Sequence, residues 1–221
     1  MGLSSQDILN MQAKHPSLKY IESNGKDIFA GELVLNHLYK EVRMTGKFDM
    51  EIIVPRDYPL ALPTVTEVSK KIDEKYPHKY TNNQLCLASN LELKLYFKQK
   101  GDISFFVDDY IIPYLYTYKY YSEYGVYPYG ERNHGYLGDL EYLKELFETD
   151  DWRQLFDLMI FVICSSYRGH VMCPCGSGKR LRNCHGETIK QIRNAELRED
   201  CVKIIQEIYK EAGEGQYGTR H

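Results

Sequence analysis

Three runs rich in apolar residues occur early in the chain, and a fourth follows a proline-rich segment. Each has the length and composition of a β-strand. The runs are Leu18–Ile21, Ile28–Leu35, Phe48–Val54 and Thr64–Val68. Asn24-Gly25 and Thr45-Gly46 supply turn chemistry between the first three. We therefore expect a four-stranded antiparallel meander.

Apolar residues at helical spacing flank this meander. Before it, we expect an amphipathic helix over Ser5–Lys14, capped by Ser5. After it, Pro113 predicts a break in the apolar and aromatic stretch Ile103–Tyr121. Further helices are predicted over Asp139–Phe147, Asp151–Ser165 and Glu187–Ala212, with Asp139 and Asp150 as caps and Gly213 as the last helix's stop.

These elements predict an α+β fold in three parts: a domain over 1–135, a helical extension over 136–170, and a terminal segment over 171–221. Hydrophobic residues make up 43% of the 221 residues and charged residues 27%, which is typical of a folded protein. The net charge of -3 favours neither nucleic acid nor an anionic membrane as a partner. The N-terminal residues lack a signal-peptide pattern, so we expect a cytoplasmic protein.

Three of the six cysteines are concentrated near the C-terminus, in the string Cys-Pro-Cys-Gly-Ser-Gly-Lys-Arg-Leu-Arg-Asn-Cys-His over residues 173–185. Its four soft donors are Cys173, Cys175, Cys184 and His185. Four sulfur and nitrogen donors satisfy tetrahedral zinc with no open position, which predicts a structural and not a catalytic ion. The segment resembles the SEC-C motif, a short zinc-binding module that docks a partner protein or stabilises a chain terminus.

Cys86 stands in a second distinctive segment. The polar residues 81–84 and 89–90 surround it, which predicts a loop, and a loop on a rigid scaffold is where a reactive thiol is usually displayed. Tyr76-Pro77-His78 precedes it, with His78 eight positions before Cys86 (86 − 78). A loop with Tyr58-Pro59 and Pro63 follows the third predicted strand.

This order resembles the core of ubiquitin-conjugating enzymes over roughly Ser4 to Tyr121: an N-terminal helix, a four-strand meander, a Tyr-Pro-x-x-x-Pro loop, and a catalytic cysteine eight residues after an asparagine. The resemblance implies that fold, with C-terminal helices and an appended small zinc knuckle, and makes Cys86 the thioester-forming nucleophile. His78 takes the place of the family's asparagine. It either packs as a loop residue or serves the site as a hydrogen-bond donor or a base.

The activity implied is transfer of a carrier protein's C-terminal carboxyl through a thioester on Cys86 to a lysine amine. The chain has no phosphate-binding glycine loop, so a separate activating enzyme or a pre-activated donor is implied. Together with the terminal knuckle, Cys86 and the polar segment 130–135 resemble bacterial conjugating-enzyme-like proteins of anti-phage systems. In those systems a cyclic-nucleotide synthase supplies the C-terminus. Arg132 and His134 would then line the active site; alternatively they pin a glycine-rich loop.

Three other interpretations compete with the transferase. RWD domains share the strand order and the proline loop, lack the cysteine, and act as binding modules. An adaptor would act through the zinc knuckle alone. A cysteine hydrolase built on Cys86 and His78 would need a third, orienting residue, which the sequence does not identify.

Overall fold

The computed structural model describes residues 2–100 and 102–217, and side chains up to residue 211. The chain divides into two compact units. The first contains the residues up to Ala88 together with Tyr96–Glu131, and the second contains Ser89–Leu95 and the chain from Arg132 onward. Among the described residues, no helix combines the length and the apolar character needed to cross a membrane.

An antiparallel sheet forms the centre of the first unit, with its strands in sequential order. The strands are β1 (Lys19–Ser23), β2 (Lys26–Tyr39), β3 (Val42–Val54) and β4 (Thr64–Glu67). The expected α+β class and four-strand meander are therefore confirmed. Asn24-Gly25 forms the first turn, with φ angles of 50° and 68°.

The second predicted turn is wrong. Thr45-Gly46 lies inside β3, paired with Leu35 and Asn36 of β2. The chain instead turns at Lys40-Glu41, whose φ angles are 42° and 67°. Two positive φ angles are those of a type I′ hairpin turn, and asparagine and glycine adopt them more easily than lysine and glutamate. The long pairing of β2 with β3 therefore overrides the local turn preference.

The N-terminal helix α1 spans Ser5–Lys14 as expected, but its cap is Ser4 and not Ser5. The Asp7 backbone N–H donates to Ser4 Oγ at 3.2 Å, and the Ser4 backbone N–H donates to the Asp7 carboxylate at 2.9 Å. This reciprocal pair satisfies helix-end donors that have no partner within the helix. Met11 of α1 is fully buried.

Helix α2 spans Asn90–Lys100, and the division between the two units falls within it. Helix α3 (Ser104–Phe106) leads through π-helical residues Val107–Ile111 into α4 (Ile112–Tyr124). The interruption expected from Pro113 is thus this wider π turn, placed just before the proline. Proline lacks a backbone N–H, so it fits at the start of a regular helical segment.

Four helices form most of the second unit: α5 (Gly135–Leu146), α6 (Trp152–Cys164), α7 (Gly186–Asn194) and α8 (Arg198–Tyr217). Several predicted bounds are wrong here. His134, not Asp139, stands at the N-cap of α5, and Asp151, not Asp150, caps α6. The expected helix over Glu187–Ala212 is two helices, and Gly213 lies inside the second of them.

Asp139 instead forms a hydrogen bond with the start of α2, within the second unit. Its carboxylate accepts a hydrogen bond of 2.8 Å from the Leu91 backbone N–H, in the first turn of α2. The core of this unit includes residues from all four helices and from the cysteine-rich segment. Its fully buried members include Leu91, Leu143, Phe147, Leu158, Val162, Leu181, Ile189, Ile192 and Cys201.

Glu67, at the end of β4, is a buried carboxylate in the first unit, only 2% exposed. It accepts hydrogen bonds from the Ser69 backbone N–H and hydroxyl, and from the Lys71 backbone N–H at 2.8 Å. The Lys71 carbonyl in turn accepts from the Tyr118 hydroxyl at 2.7 Å. Glu67 therefore fixes the segment that leads from the sheet toward Cys86.

Replacing Glu67 with alanine should destabilise this segment by about 3 kcal/mol, because several buried donors lose a charged acceptor at once. Hydrogen–deuterium exchange over residues 64–73 would measure the change. Glu22→Ala, an exposed carboxylate on β1, is the matched control and should leave exchange nearly unchanged. Equal protection in wild type and Glu67→Ala would contradict this role.

Candidate functional site

The cysteine-rich segment of the second unit folds into a small hairpin. The Cys173 backbone N–H donates to the Lys179 carbonyl at 2.8 Å, and Met172 forms an isolated β-bridge with Arg180. Gly176 and Gly178, between them, have φ angles of 78° and 71°, a region that favours glycine. The hairpin thus presents Cys173 and Cys175 from one tight turn.

The other two donors follow a single turn of 3₁₀ helix over Leu181–Asn183. Cys184 ends this turn, and His185 stands at the N-cap of α7. Gly186 follows, and a Cβ there would lie 2.6 Å from the Leu181 carbonyl oxygen. Only a residue without a side chain lets the helix begin this close to the turn.

The structure brings all four predicted donor atoms within 4.8 Å of one another. His185 Nδ1 lies 3.3 Å from Cys173 Sγ and 3.4 Å from Cys184 Sγ, and the sulfurs of Cys175 and Cys184 are 3.6 Å apart. A tetrahedron with metal–sulfur bonds of about 2.3 Å has edges of about 3.8 Å. The donor set therefore fits a tetrahedral metal ion.

Neighbouring groups orient the donor atoms and alter the ionisation of the thiols. His185 Nε2 lies 3.0 Å from the Phe147 carbonyl oxygen, so the ring donates there and leaves Nδ1 as the ligand atom. The Ser177 hydroxyl lies 3.2 Å from Cys175 Sγ. Burial opposes ionisation of Cys175, but the hydrogen bonds from Ser177 and the neighbouring thiols outweigh it and lower its pKa to about 6. The neighbouring Cys173 shifts the other way, because burial raises the pKa of its thiol to about 11. All six cysteines lie within the described residues and none forms a disulfide.

Cys86 lies in the first unit, on a loop anchored to the edge of the sheet. The Leu85 backbone N–H donates to the Val65 carbonyl of β4 at 2.8 Å, and Gln84 forms an isolated bridge with Thr66. Leu85 is buried beside the half-buried Cys86. These backbone hydrogen bonds therefore fix the expected loop at Cys86.

His78 and Cys86 are brought together by the backbone as well as by their side chains. The Cys86 N–H donates to the His78 carbonyl at 2.9 Å, and the same carbonyl accepts from the Tyr114 hydroxyl at 2.9 Å. A ring nitrogen of His78 lies within 4.8 Å of Cys86 Sγ. The His78 ring packs against Tyr76 and Tyr127, with centroid distances of 5.7 and 5.4 Å.

The pKa of the Cys86 thiol shifts in the direction opposite to that expected of a thiol activated by its loop. Burial raises the pKa of the thiol, and a hydrogen bond from Tyr80 opposes this rise. The Tyr80 hydroxyl lies 3.2 Å from Cys86 Sγ. Sequence reasoning missed Tyr80, because nothing in a polar loop shows which side chain turns toward the sulfur.

Arg132 and His134 both belong to the second unit. Arg132 forms ion pairs with Glu92 at 3.0 Å and Glu145 at 3.3 Å. These carboxylate partners support the interpretation that Arg132 fixes a loop. His134 stands where α5 begins, and its side chain makes no capping hydrogen bond there.

Comparison with known proteins identifies the cysteine-rich segment. The family model described as the SEC-C motif matches residues 172–187, which contain all four donors. No curated protein and no solved structure matches the chain. The match covers a small part of the sequence, so it identifies this segment and not the family of the whole chain. Residues 172–187 are a SEC-C motif whose three cysteines and one histidine are arranged as a metal-binding site.

Proposed function

We propose that the first unit is a ubiquitin-conjugating-enzyme-like acyltransferase with Cys86 as its nucleophile, and that the SEC-C motif holds a structural zinc ion. The observation that carries the proposal is the pairing of Cys86 with His78 on a loop fixed to the sheet edge. The order of elements supports it: α1, then the meander β1–β4, then the Cys86 loop, then helices.

Details of packing agree with this assignment. Tyr58 of the proline-rich segment is 3% exposed and packs edge-on against Phe97, with ring centroids 5.3 Å apart. That segment therefore belongs to the core of the unit and is suited to support a site. The Cys86 loop follows β4 directly and is hydrogen-bonded to it.

The reaction proceeds in two steps. First, the Cys86 thiolate attacks the carbonyl carbon of an activated C-terminus; the C–S bond forms, and the activating group leaves with the electron pair of its bond. Second, a lysine amine attacks the thioester carbon; the C–N bond forms, the C–S bond breaks, and sulfur leaves as thiolate. The surplus proton of the amine passes to a base.

The acyl donor is the C-terminal carboxyl of a carrier protein, activated by a separate ATP-using enzyme. On the resemblance to anti-phage conjugating-like proteins, this carrier is a cyclic-nucleotide synthase. The metal takes no part in these steps, because four protein donors leave a tetrahedral zinc without an open position.

A direct test is intact-mass spectrometry of the protein isolated from its native cells under acidic, non-reducing conditions. We expect a protein adduct that dithiothreitol removes, mapped by peptide analysis to Cys86. An RWD-like module or a zinc-knuckle adaptor would leave Cys86 unmodified. A thiol-labile adduct on any other cysteine would contradict the assignment.

His78 should govern the second step. If its ring stabilises the oxyanion of the tetrahedral intermediate, His78→Ala should slow discharge of the thioester by about 100-fold, since removing one such donor has an effect of that size. His78→Asn should then restore much of the rate. If His78 is the base, His78→Asn should stay slow, and the wild-type rate should fall as acid protonates the ring.

The measurement is single-turnover discharge of preformed thioester to free lysine across pH. His170→Ala, an exposed histidine of the second unit, is the control and should discharge at the wild-type rate. Equal rates for wild type, His78→Asn and His78→Ala would leave His78 as a packing residue.

A further inference from the structure

Tyr80 is held in a fixed position relative to Cys86 by the backbone of a tight turn. Its N–H donates to the Gln84 carbonyl at 2.8 Å, and its own carbonyl accepts from the Asn83 N–H at 2.9 Å. Asn83 has a φ of 66°, which closes the turn. The turn therefore directs the Tyr80 ring back toward the Cys86 loop, and the Tyr80 hydroxyl lies 3.2 Å from Cys86 Sγ.

Several titratable side chains in the described part of this unit face Cys86. His78 lies on the same loop, Tyr114 on α4, and Tyr80 within the turn. Tyr114 is committed elsewhere, because its hydroxyl donates to the His78 carbonyl. Burial raises the pKa of the Cys86 thiol, and the hydrogen bond from Tyr80 acts in the opposite direction.

We propose that Tyr80 is a positioning residue for Cys86, whose phenol O–H donates to the sulfur and stabilises it as a thiolate. A phenol ordinarily holds its proton more tightly than a thiol does, so Tyr80 remains the donor while Cys86 ionises. Tyr80 is 48% exposed, so the phenol lies at the protein surface beside the sulfur.

The role of this hydrogen bond in the transfer reaction rests on the proposed function. The bond acts before the thioester forms and again when the thioester is cleaved. Before attack the sulfur is an anion, and on discharge it leaves as an anion. The acylated sulfur between these states carries no charge and accepts a hydrogen bond weakly. The donor therefore raises the fraction of Cys86 that is ionised before attack, and it stabilises the thiolate that leaves on discharge, so it should speed both steps.

The test replaces Tyr80 with phenylalanine, which keeps the ring and removes only the hydroxyl. Alkylation of Cys86 by iodoacetamide is followed across pH by peptide mass spectrometry. At pH 7 we expect about tenfold slower alkylation, the size of effect given by one hydrogen bond to a charged group, and a midpoint moved to higher pH. Tyr129→Phe, an exposed tyrosine of the same unit, should behave as wild type.

An unchanged alkylation profile in Tyr80→Phe would overturn the inference, as would an equal shift in Tyr129→Phe. The readout does not depend on thioester chemistry. A wild-type protein that forms no thiol-labile adduct would refute the transferase proposal, while a shifted profile in Tyr80→Phe would still support the bond to Cys86. In a protein that does form the thioester, Tyr80→Phe should also slow its discharge to lysine.

Discussion

Cys175→Ser should lose the metal of the SEC-C motif and unfold the second unit, while the first unit keeps its fold. A serine hydroxyl stays protonated near neutral pH and cannot replace a thiolate ligand. Structural zinc in isolated zinc-finger peptides contributes about 10–16 kcal/mol of apparent binding free energy. We therefore expect this single change to have the largest effect on stability in the chain.

The structure explains why losing the metal should destabilise helices outside the SEC-C motif. Cys173 and Cys175 are 4% and 6% exposed and belong to the same buried cluster as Ile189 of α7 and Leu158 of α6. His185 is joined through Nε2 to the carbonyl of Phe147, which directly follows α5. Without the ion, the buried thiolates would take up protons, and the bonds that join the cysteine hairpin to the start of α7 would be lost.

Three measurements report separately on the metal and on the folding of the two units. Elemental analysis of wild type, purified without chelators, should give about one zinc per chain and none for Cys175→Ser. Hydrogen–deuterium exchange should rise across residues 132–217 and stay low across β1–β4. Trp152, the single tryptophan, lies in the second unit, so its fluorescence reports on that unit alone. Cys164→Ser is the matched control, and a wild-type protein without metal would refute the zinc assignment.

The metal site was predictable because all four ligands lie within thirteen residues and their spacing alone brings them together. Its supporting groups were not. The carbonyl of Phe147 comes from a helix end far away in sequence, and a backbone atom leaves no trace in residue identity. Sequence patterns therefore predict the ligands of a local motif but not the distant backbone groups that orient those ligands.

The fold shows the same limit. Runs rich in apolar residues predicted the strands, but the β2–β3 turn was misplaced because the pairing of two long strands outweighed the local preference of Thr45-Gly46. The break between α7 and α8 was missed because apolar residues keep their helical spacing through it. There Glu196 adopts a φ of 60°, a conformation that glutamate does not signal.

At Cys86, the resemblance to ubiquitin-conjugating enzymes implied that His78 lies near the sulfur, and the hydrogen bond from the Cys86 N–H to the His78 carbonyl accounts for their proximity physically. The orientation of Tyr80 depends on the turn that Asn83 closes, so it required the structure. The most demanding prediction about this site concerns the sulfur itself.

Cys86→Ala should abolish the thiol-labile adduct completely and leave the fold intact, because the side chain is half-buried and loses only its sulfur. Cys86→Ser should accumulate an adduct that resists dithiothreitol but yields to hydroxide, since the oxyester that replaces the thioester has a poorer leaving group. Intact-mass spectrometry after a reducing and a non-reducing wash measures both outcomes, and exchange over β1–β4 checks the fold.

The remaining cysteines outside the metal site supply controls of two kinds. Cys164, exposed at the end of α6, tests whether accessibility alone is enough for the adduct. Cys201 is fully buried, and burial raises the pKa of its thiol to about 12, so it tests nonspecific loss through destabilisation. Cys164→Ala and Cys201→Ala should both keep the adduct. If Cys164→Ala removed it and Cys86→Ala did not, Cys86 would be a packing residue, and the transferase proposal, which makes Cys86 the nucleophile, would fall.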